Sequence, residues 1–169
     1  MNVTSTRRTF AMRFASLLSA LGLSAAVLPI PSRAQGSAQG ESGIRKLTAE
    51  GKPGGEKDVI MPVVIHNGLI YVSGQGAHDS RDKKEWTIES HTTMVMDKIK
   101  KMVEIGGGTM ETVLQTRVFL VNIEHWEAMT KVFGSYFPHG GPARTTVAVA
   151  ALPGDSLVEI DCVAAVARK

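Results

Sequence analysis

The feature that most restricts how this 169-residue chain can fold is the dipeptide Asn67-Gly68, which separates two apolar runs. Asn-Gly between β-rich runs is the strongest short-range signal for a β-hairpin, because both residues accept the positive φ of a tight turn. The segment VVIHNGLIYVSGQG therefore predicts antiparallel strands at Val63–Ile65 and Leu69–Ser73, with His66 in the turn and exposed to solvent.

Two segments after this hairpin have the apolar spacing of helices. The first runs from about Glu89 to Ile105 and ends at three consecutive glycines that begin with Gly106. The second covers roughly Ile123–Phe137, with Asn122 as its N-cap. The apolar residues of the second helix are expected to form one buried stripe: Trp126, Met129, Phe133 and Phe137.

The remaining apolar runs complete a sheet. Strands are predicted at Val113–Val121, Thr145–Ala150 and Leu157–Ala165, the last two joined in a hairpin by the turn ALPGDS, and an edge strand is compatible with Ile44–Ala49. The order strand pair, helix, strand, helix, strand pair predicts an α+β fold. Its mixed sheet would have two helices packed on one face.

The N-terminal segment has the pattern of an export signal. Three arginines (Arg7, Arg8, Arg13) precede an apolar stretch, and the small residues around Arg33 favour cleavage after Ala34. The pair Arg7-Arg8 resembles a twin-arginine signal, although an ordinary secretory signal fits as well. We therefore expect a signal peptide at 1–34, a flexible lead at 35–57 and one domain at 58–169. The location would be periplasmic, with no stable membrane anchor after cleavage.

The net charge argues against nucleic acid as a partner. Residues 1–34 contain four of the 19 basic residues and none of the 16 acidic ones, so residues 35–169 carry a net charge of −1. The isoelectric point of about 9.1 thus reflects the N-terminal segment. It does not indicate a basic binding surface.

Common catalytic and metal-binding motifs are missing from the sequence. No histidine pair has helical metal-ligand spacing, no Cys-x-x-Cys exists, and the segment VSGQGAH has neither a dinucleotide fingerprint nor a P-loop ending. Cys162, the one cysteine, alternates with Ile160 and Ala164 in an apolar strand and is expected to be a buried, inert thiol.

Polar residues within apolar strands are the best remaining candidates for a site. Arg144 lies in GGPARTTVAV, between a turn and a strand, where its permanently charged planar fork suits a carboxylate. Glu159 and Asp161 share one face of the last strand, which makes them either solvent-exposed or functional. Glu159 is of the type that orients or deprotonates a water. Together, Arg144 and Glu159 predict a site for a small carboxylic acid beside an activated water.

Three segments resemble one known family: NGLIYVSGQG, VFLVNIEHW and PARTTVAVAALPGDSLVEIDCVA. They are similar to the reactive-intermediate deaminases, the RidA or YjgF-like family, over about Val59–Ala167. The resemblance implies a chorismate-mutase-like α+β fold, a homotrimer with sites between subunits, and no metal or organic cofactor. It also implies hydrolysis of enamines and imines, such as 2-aminoacrylate and 2-iminopropionate, to 2-keto acids and ammonia.

Four positions of this chain match functional residues of that family. The resemblance implies that Arg144 binds the substrate carboxylate and that Glu159 positions the attacking water. It implies further that Ser73 and Gly74 supply hydroxyl and backbone contacts to the substrate.

Three positions of the expected pocket depart from the family pattern. Ile60 stands where the family has a tyrosine, Thr146 replaces a cysteine, and Thr130 replaces an asparagine. These changes leave two alternatives open. One is a non-catalytic trimer that binds small carboxylates or acts as a chaperone, and the other is a deaminase of a larger amino-substituted acid.

The predicted final hairpin also bears on how the site is assembled. A turn centred near Pro153-Gly154 pairs Glu159 with Ala148, so Arg144 is four residues further along. That separation is roughly 13 Å at about 3.3 Å per residue. We therefore expect Arg144 and Glu159 of one site to come from neighbouring chains.

Overall fold

The structure is a computed structural model that describes residues 43–78 and 86–168. Within these ranges there are six strands: β1 (Arg45–Leu47), β2 (Val63–His66), β3 (Leu69–Gly76), β4 (Val113–Leu120), β5 (Ala143–Ala148) and β6 (Val158–Ala165). The helices are α1 (Ile88–Ile105) and α2 (Trp126–Ser135), with 3-10 turns at Met110–Thr112, Ile123–His125 and Pro153–Asp155. The predicted α+β fold is confirmed, as a mixed six-stranded sheet with two helices.

The Asn67-Gly68 hairpin forms as predicted. Strands β2 and β3 are antiparallel with His66 opposite Leu69, and both turn residues have positive φ, 50° at Asn67 and 76° at Gly68. The prediction for His66 was wrong, since it ends strand β2 and is half-buried. The two-residue turn leaves no room for it, and its Nε2 lies 3.0 Å from the side-chain amide of Asn67.

Helix α1 begins and ends where its sequence predicts. Thr87 caps it through reciprocal bonds with Ser90, each hydroxyl accepting from the other residue's backbone N–H at 3.1 Å. Gly106 ends it by donating its backbone N–H to Met102. The predicted apolar face lies against the sheet, where Val95, Ile99, Met102 and Val103 are buried.

Helix α2 is shorter than predicted. Asn122 does act as a cap, but for the 3-10 turn that precedes the helix, accepting the backbone N–H of Glu124 at 3.0 Å. Met129 and Phe133 are buried as expected, whereas Trp126 is 43% exposed. The buried-stripe prediction was wrong for Trp126, because this first residue of α2 packs beside Arg144 near the sheet edge instead of entering the core.

The sheet has the order β1-β2-β3-β6-β4-β5. The predicted hairpin between β5 and β6 was wrong, because β4 lies between them and pairs parallel with β5 and antiparallel with β6. The segment β4-α2-β5 forms a parallel unit with a helical crossover, which places β5 outside β4 at the sheet edge. The expected edge strand is present as β1, which pairs antiparallel with β2.

The two faces of the sheet differ in burial. Along β6 every second residue is buried, beginning with Val158, and the residues between them are half-buried. The buried residues face α1 and α2 and belong to one apolar core. The other face, called here the open face, carries Glu159 and Asp161. Neither helix within the described ranges has the length and apolarity to cross a bilayer.

Candidate functional site

Arg144 lies on the helix-covered side of edge strand β5. It pairs with Thr116 of β4, which in turn pairs with Cys162 of β6, and both of these residues are buried. The guanidinium donates to Thr130 Oγ1 at 3.1 Å. Its Cζ lies 4.9 Å from the ring centroid of Phe133 and 5.9 Å from that of Trp126. Burial lowers the pKa of Arg144, but the group is cationic at any working pH.

One face of helix α2 supplies the side chains that surround Arg144. Trp126, Thr130 and Phe133 follow one another at spacings of four and three residues, so the helix presents all three to β5. Sequence reasoning missed the two aromatic residues as neighbours of the arginine. The available signal was an Asn-capped helix with Trp, Thr and Phe on one face, immediately before an arginine-bearing strand.

No carboxylate among residues 43–78 and 86–168 pairs with Arg144, although the side chain is partly buried. A desolvated cation without a counter-charge favours any anion that reaches it. The guanidinium has five N–H donors, and Thr130 accepts from one of them. We call Arg144 with Thr130, Phe133 and Trp126 the arginine cluster, and its chemistry suits a carboxylate.

Glu159 lies on the open face of β6, between Gly76 of β3 and Phe119 of β4. Its side chain crosses over Gly74. A Cβ placed on that glycine would lie 2.9 Å from Glu159 Cδ and 3.3 Å from Cγ. The neighbouring acid differs, because Asp161 forms an ion pair with Arg117 at 2.8 Å. Within the described part of the chain, Glu159 therefore keeps its carboxylate uncommitted.

Ser73 and Gly74 lie at an irregularity where β3 shifts register against β6, between Val72 and Gln75. The side-chain amide of Gln75 donates to both the carbonyl and the hydroxyl oxygen of Ser73, each at 3.1 Å. The bulge places Gly74 against the Glu159 side chain, with Ser73 next to Gly74 in the chain. We call these three residues the glutamate cluster.

The two clusters are separated within one chain. Arg144 is in register with Cys162, and Glu159 is three residues away from Cys162 on the opposite face. Three residues span about 10 Å and two strand spacings span nearly as much, so the two Cα atoms are about 14 Å apart. The expected long separation holds, but its cause is the intervening strand β4 and the opposite faces, not an offset within a hairpin.

Two predicted site residues lie outside both clusters. Thr146 is half-buried and lies on the same side of β5 as Arg144, paired with Val118. Ile60 precedes β2 and is 75% exposed, with no place in either cluster. Five of the seven predicted residues therefore belong to the two clusters, and Thr146 and Ile60 lie outside them.

Within the described ranges, Cys162 and the metal-binding residue types do not form a second candidate site. Cys162 is buried as predicted, and burial raises the pKa of its thiol to about 12, so it stays protonated. Among the described residues no group of three or more histidine, cysteine or acidic side chains is arranged to hold a metal ion.

Comparison with known proteins shows which family this chain belongs to. A protein family described as endoribonuclease L-PSP matches residues 60–166. The curated mitochondrial protein mmf2 of Schizosaccharomyces pombe is 33% identical over 105 residues, which is 60% of this chain and 83% of that protein. The resemblance to RidA and YjgF-like proteins is thus confirmed at the level of the family.

Solved structures share the fold along almost their whole length. The Yersinia pestis protein YyfA, described as a protein of unknown function in the conserved Rid family, is 30% identical with a TM-score of 0.64. The match covers 73% of this chain and 100% of that one. Yeast YEO7 is 29% identical with a TM-score of 0.64, covering 73% and 98% of the two chains.

The prediction of a periplasmic location was wrong. The curated relative mmf2 is named as a mitochondrial protein, which points away from the periplasm. An arginine-rich, acid-free and serine-containing start is also the composition of organellar transit peptides, so composition alone does not separate the two kinds of signal. The predicted signal at 1–34 lies outside the described residues.

Proposed function

Because the chain belongs to the endoribonuclease L-PSP family, which includes the Rid and YjgF proteins, we propose that it hydrolyses reactive imine and enamine acids. The products are 2-keto acids and ammonia. The observation that carries this proposal is the arginine cluster, a partly buried cation that lacks a counter-charge among the described residues. Such a group selects substrates with a carboxylate next to the reacting carbon.

Arg144 binds and orients that carboxylate. Two N–H groups of a guanidinium match the two oxygens of a carboxylate, so the imine carbon beside it is fixed in direction as well as position. Thr130 holds the fork from one side, and the rings of Phe133 and Trp126 exclude water from its face. Proximity of this kind accounts for most of the modest acceleration that an already labile imine needs.

Glu159 acts on the water. Its carboxylate accepts a proton from the water as the water oxygen bonds to the imine carbon, and passes that proton to the nitrogen, which takes up the electron pair of the C=N bond. The carboxylate, ionised again, then accepts the hydroxyl proton of the resulting carbinolamine and passes it to the leaving nitrogen as the C–N bond breaks, which releases ammonia and the 2-keto acid. An enamine enters the same sequence after protonation at its β-carbon.

The site requires two chains. Arg144 and Glu159 point to opposite faces of one sheet, about 14 Å apart, which is too far for a three-carbon acid to bridge. We therefore place Arg144 of one protomer opposite Glu159 of its partner in a homotrimer. The half-buried apolar residues of the open face, such as Phe119 and Val163, are consistent with an interface there.

The direct test is hydrolysis of 2-iminopropionate generated in situ from alanine by an amino-acid oxidase, followed as loss of the imine. Arg144→Ala should lower kcat/KM by about 100-fold, as expected when a desolvated charge loses its partner. Arg45→Ala is the matched control, because Arg45 is exposed on the far edge strand β1. Equal rates for wild type and Arg144→Ala would reject the proposal.

Two other outcomes identify rival functions. Tight binding of pyruvate with no imine hydrolysis by wild type would show a carboxylate-binding protein. Slow hydrolysis of 2-iminopropionate with fast hydrolysis of bulkier imino acids would indicate a larger substrate.

The descriptive name of the family also raises RNA cleavage as an activity. It is tested by comparing wild type with the same Arg144→Ala variant on an unstructured RNA.

A further inference from the structure

Gly74 is a glycine for reasons of space and not of backbone conformation. It is absent from the glycines with positive φ, so its backbone accepts any residue. The three atoms nearest to an added Cβ all belong to the side chain of Glu159, with Cδ at 2.9 Å and Cγ at 3.3 Å. The missing side chain of Gly74 is therefore filled by the carboxyl end of Glu159.

We propose that Gly74 is a positioning residue, which holds the Glu159 carboxylate in its working place by leaving that space empty. This inference rests on the proposed function, because it concerns the group that activates water there. It differs from a backbone contact to the substrate, which is the role that the family resemblance implies for Gly74. Here the glycine acts through the glutamate.

Other glycines show why this position separates function from folding. At Gly108 an added Cβ would meet a backbone oxygen, that of Ala165, at 2.9 Å, so a substitution there forces the main chain to move. At Gly74 all three nearest atoms belong to the outer part of a half-buried, flexible side chain, and none belongs to the backbone. Gly74→Ala should therefore fold normally and displace only Glu159.

The expected loss of activity in Gly74→Ala follows from how far the Glu159 carboxylate has to move. Carbon atoms in contact prefer separations of about 3.5–4.0 Å, so the Glu159 carboxylate has to retreat by about 1 Å from an added methyl group. A misplacement of 1 Å in a catalytic group costs on the order of 100-fold in rate. We expect Gly74→Ala to lower kcat for imine hydrolysis by about that factor.

The experiment is a double-mutant cycle on the full chain. Imine hydrolysis is measured for wild type, Gly74→Ala, Glu159→Ala and the combined variant, with thermal unfolding as a check on folding. If Gly74 acts through Glu159, the added methyl slows the wild type about 100-fold and slows Glu159→Ala less than threefold. Gly134→Ala is the control, because a Cβ there meets nothing within 4 Å.

Affinity for the product pyruvate supplies a second readout, and it decides alone if Glu159→Ala is too slow to measure. A positioning role predicts an unchanged Kd in Gly74→Ala together with the loss in kcat. A raised Kd, or an equal slowing in both backgrounds of the cycle, would overturn the inference in favour of a direct substrate contact. Wild-type rates in Arg144→Ala and Glu159→Ala would instead reject the proposed function itself.

Discussion

The side chains that contact the Arg144 guanidinium in the described structure are uncharged. One hydroxyl, that of Thr130, accepts from its guanidinium, and two aromatic rings cover part of its surface. Hydrogen bonds to a charged group are directional, so Thr130 fixes the plane of the fork as well as its distance from α2. In the proposed function, the substrate carboxylate therefore meets a guanidinium that is already oriented.

Thr130→Val should separate binding from chemistry. Valine has nearly the shape of threonine but cannot accept a hydrogen bond, so the guanidinium becomes more mobile while its charge stays. The loss of one hydrogen bond, about 1 kcal/mol, predicts a KM for imino acids raised about fivefold with kcat nearly unchanged. Steady-state kinetics on 2-iminopropionate measure both, and Thr93→Val on the exposed side of α1 is the control. A fall in kcat at constant KM would contradict this role for Thr130.

For individual residues, the sequence singled out the polar candidates Arg144 and Glu159 more readily than the side chains that surround them. Arg144 stands out because a charge at the start of an apolar strand is unusual, and Glu159 because it interrupts another. Trp126 was assigned to the core on helical spacing alone. That spacing gives the face of a helix but not where the sheet beneath it ends, and Trp126 lies near the edge strand.

Helix α1 and strand β6 are joined by a buried histidine. His91 is 1% exposed, and its Nδ1 accepts the backbone N–H of Leu157 at 3.1 Å, just before β6 begins. Its Nε2 has no hydrogen-bond partner within the described ranges. Because Nδ1 accepts, the ring is neutral with its proton on Nε2, and burial lowers the pKa of His91 below 6.5.

The lowered pKa of His91 predicts a protein that loses stability in mild acid. Below pH 6.5 the unfolded chain binds a proton that the folded chain resists, so the free energy of unfolding falls as pH decreases. It falls until the pH reaches the folded-state pKa, with a slope of at most about 1.4 kcal/mol per pH unit for one proton. Urea unfolding of wild type and His91→Asn between pH 5 and pH 7.5 measures the effect.

The asparagine variant keeps an acceptor near the Nδ1 position but does not titrate in this range. Its profile should therefore be flatter than that of wild type between pH 5 and 6.5. Parallel profiles for the two proteins would assign the acid sensitivity to other groups.

Elements that depend on neighbouring residues were predicted well, and their arrangement was not. The β2–β3 hairpin and the end of α1 follow from a few adjacent residues, so the sequence indicates them directly. The position of β6 depends on β3 and β4, which are distant in the chain. A short turn such as ALPGDS favours a hairpin only when no better partner competes for the edge of the strand.

At the scale of the whole described domain, the arginine cluster and the glutamate cluster lie on opposite sides of one sheet. This geometry predicts that two inactive variants restore activity when they assemble together. In mixed trimers of Arg144→Ala and Glu159→Ala chains, an interface is intact when the first variant supplies Glu159 and the second supplies Arg144. Random assembly makes about one quarter of the interfaces intact.

Co-refolding the two variants in equal amounts and measuring imine hydrolysis checks this prediction. Each variant refolded alone provides the baseline, and wild type refolded alone provides the scale. No recovery above that baseline would mean that Arg144 and Glu159 act within one chain or that one of them is not used.

The place of β6 in the sheet also limits when this protein can finish folding. β6 comes last of the described strands in the chain, yet it lies between β3 and β4 and joins the β1-β2-β3 half to the β4-β5 half. During synthesis the two halves can form locally, but they share no strand pairing until β6 has left the ribosome. Until then the unpaired edges of β3 and β4 are exposed to other chains. Synthesis thus leaves an interval in which the nascent protein needs protection from aggregation.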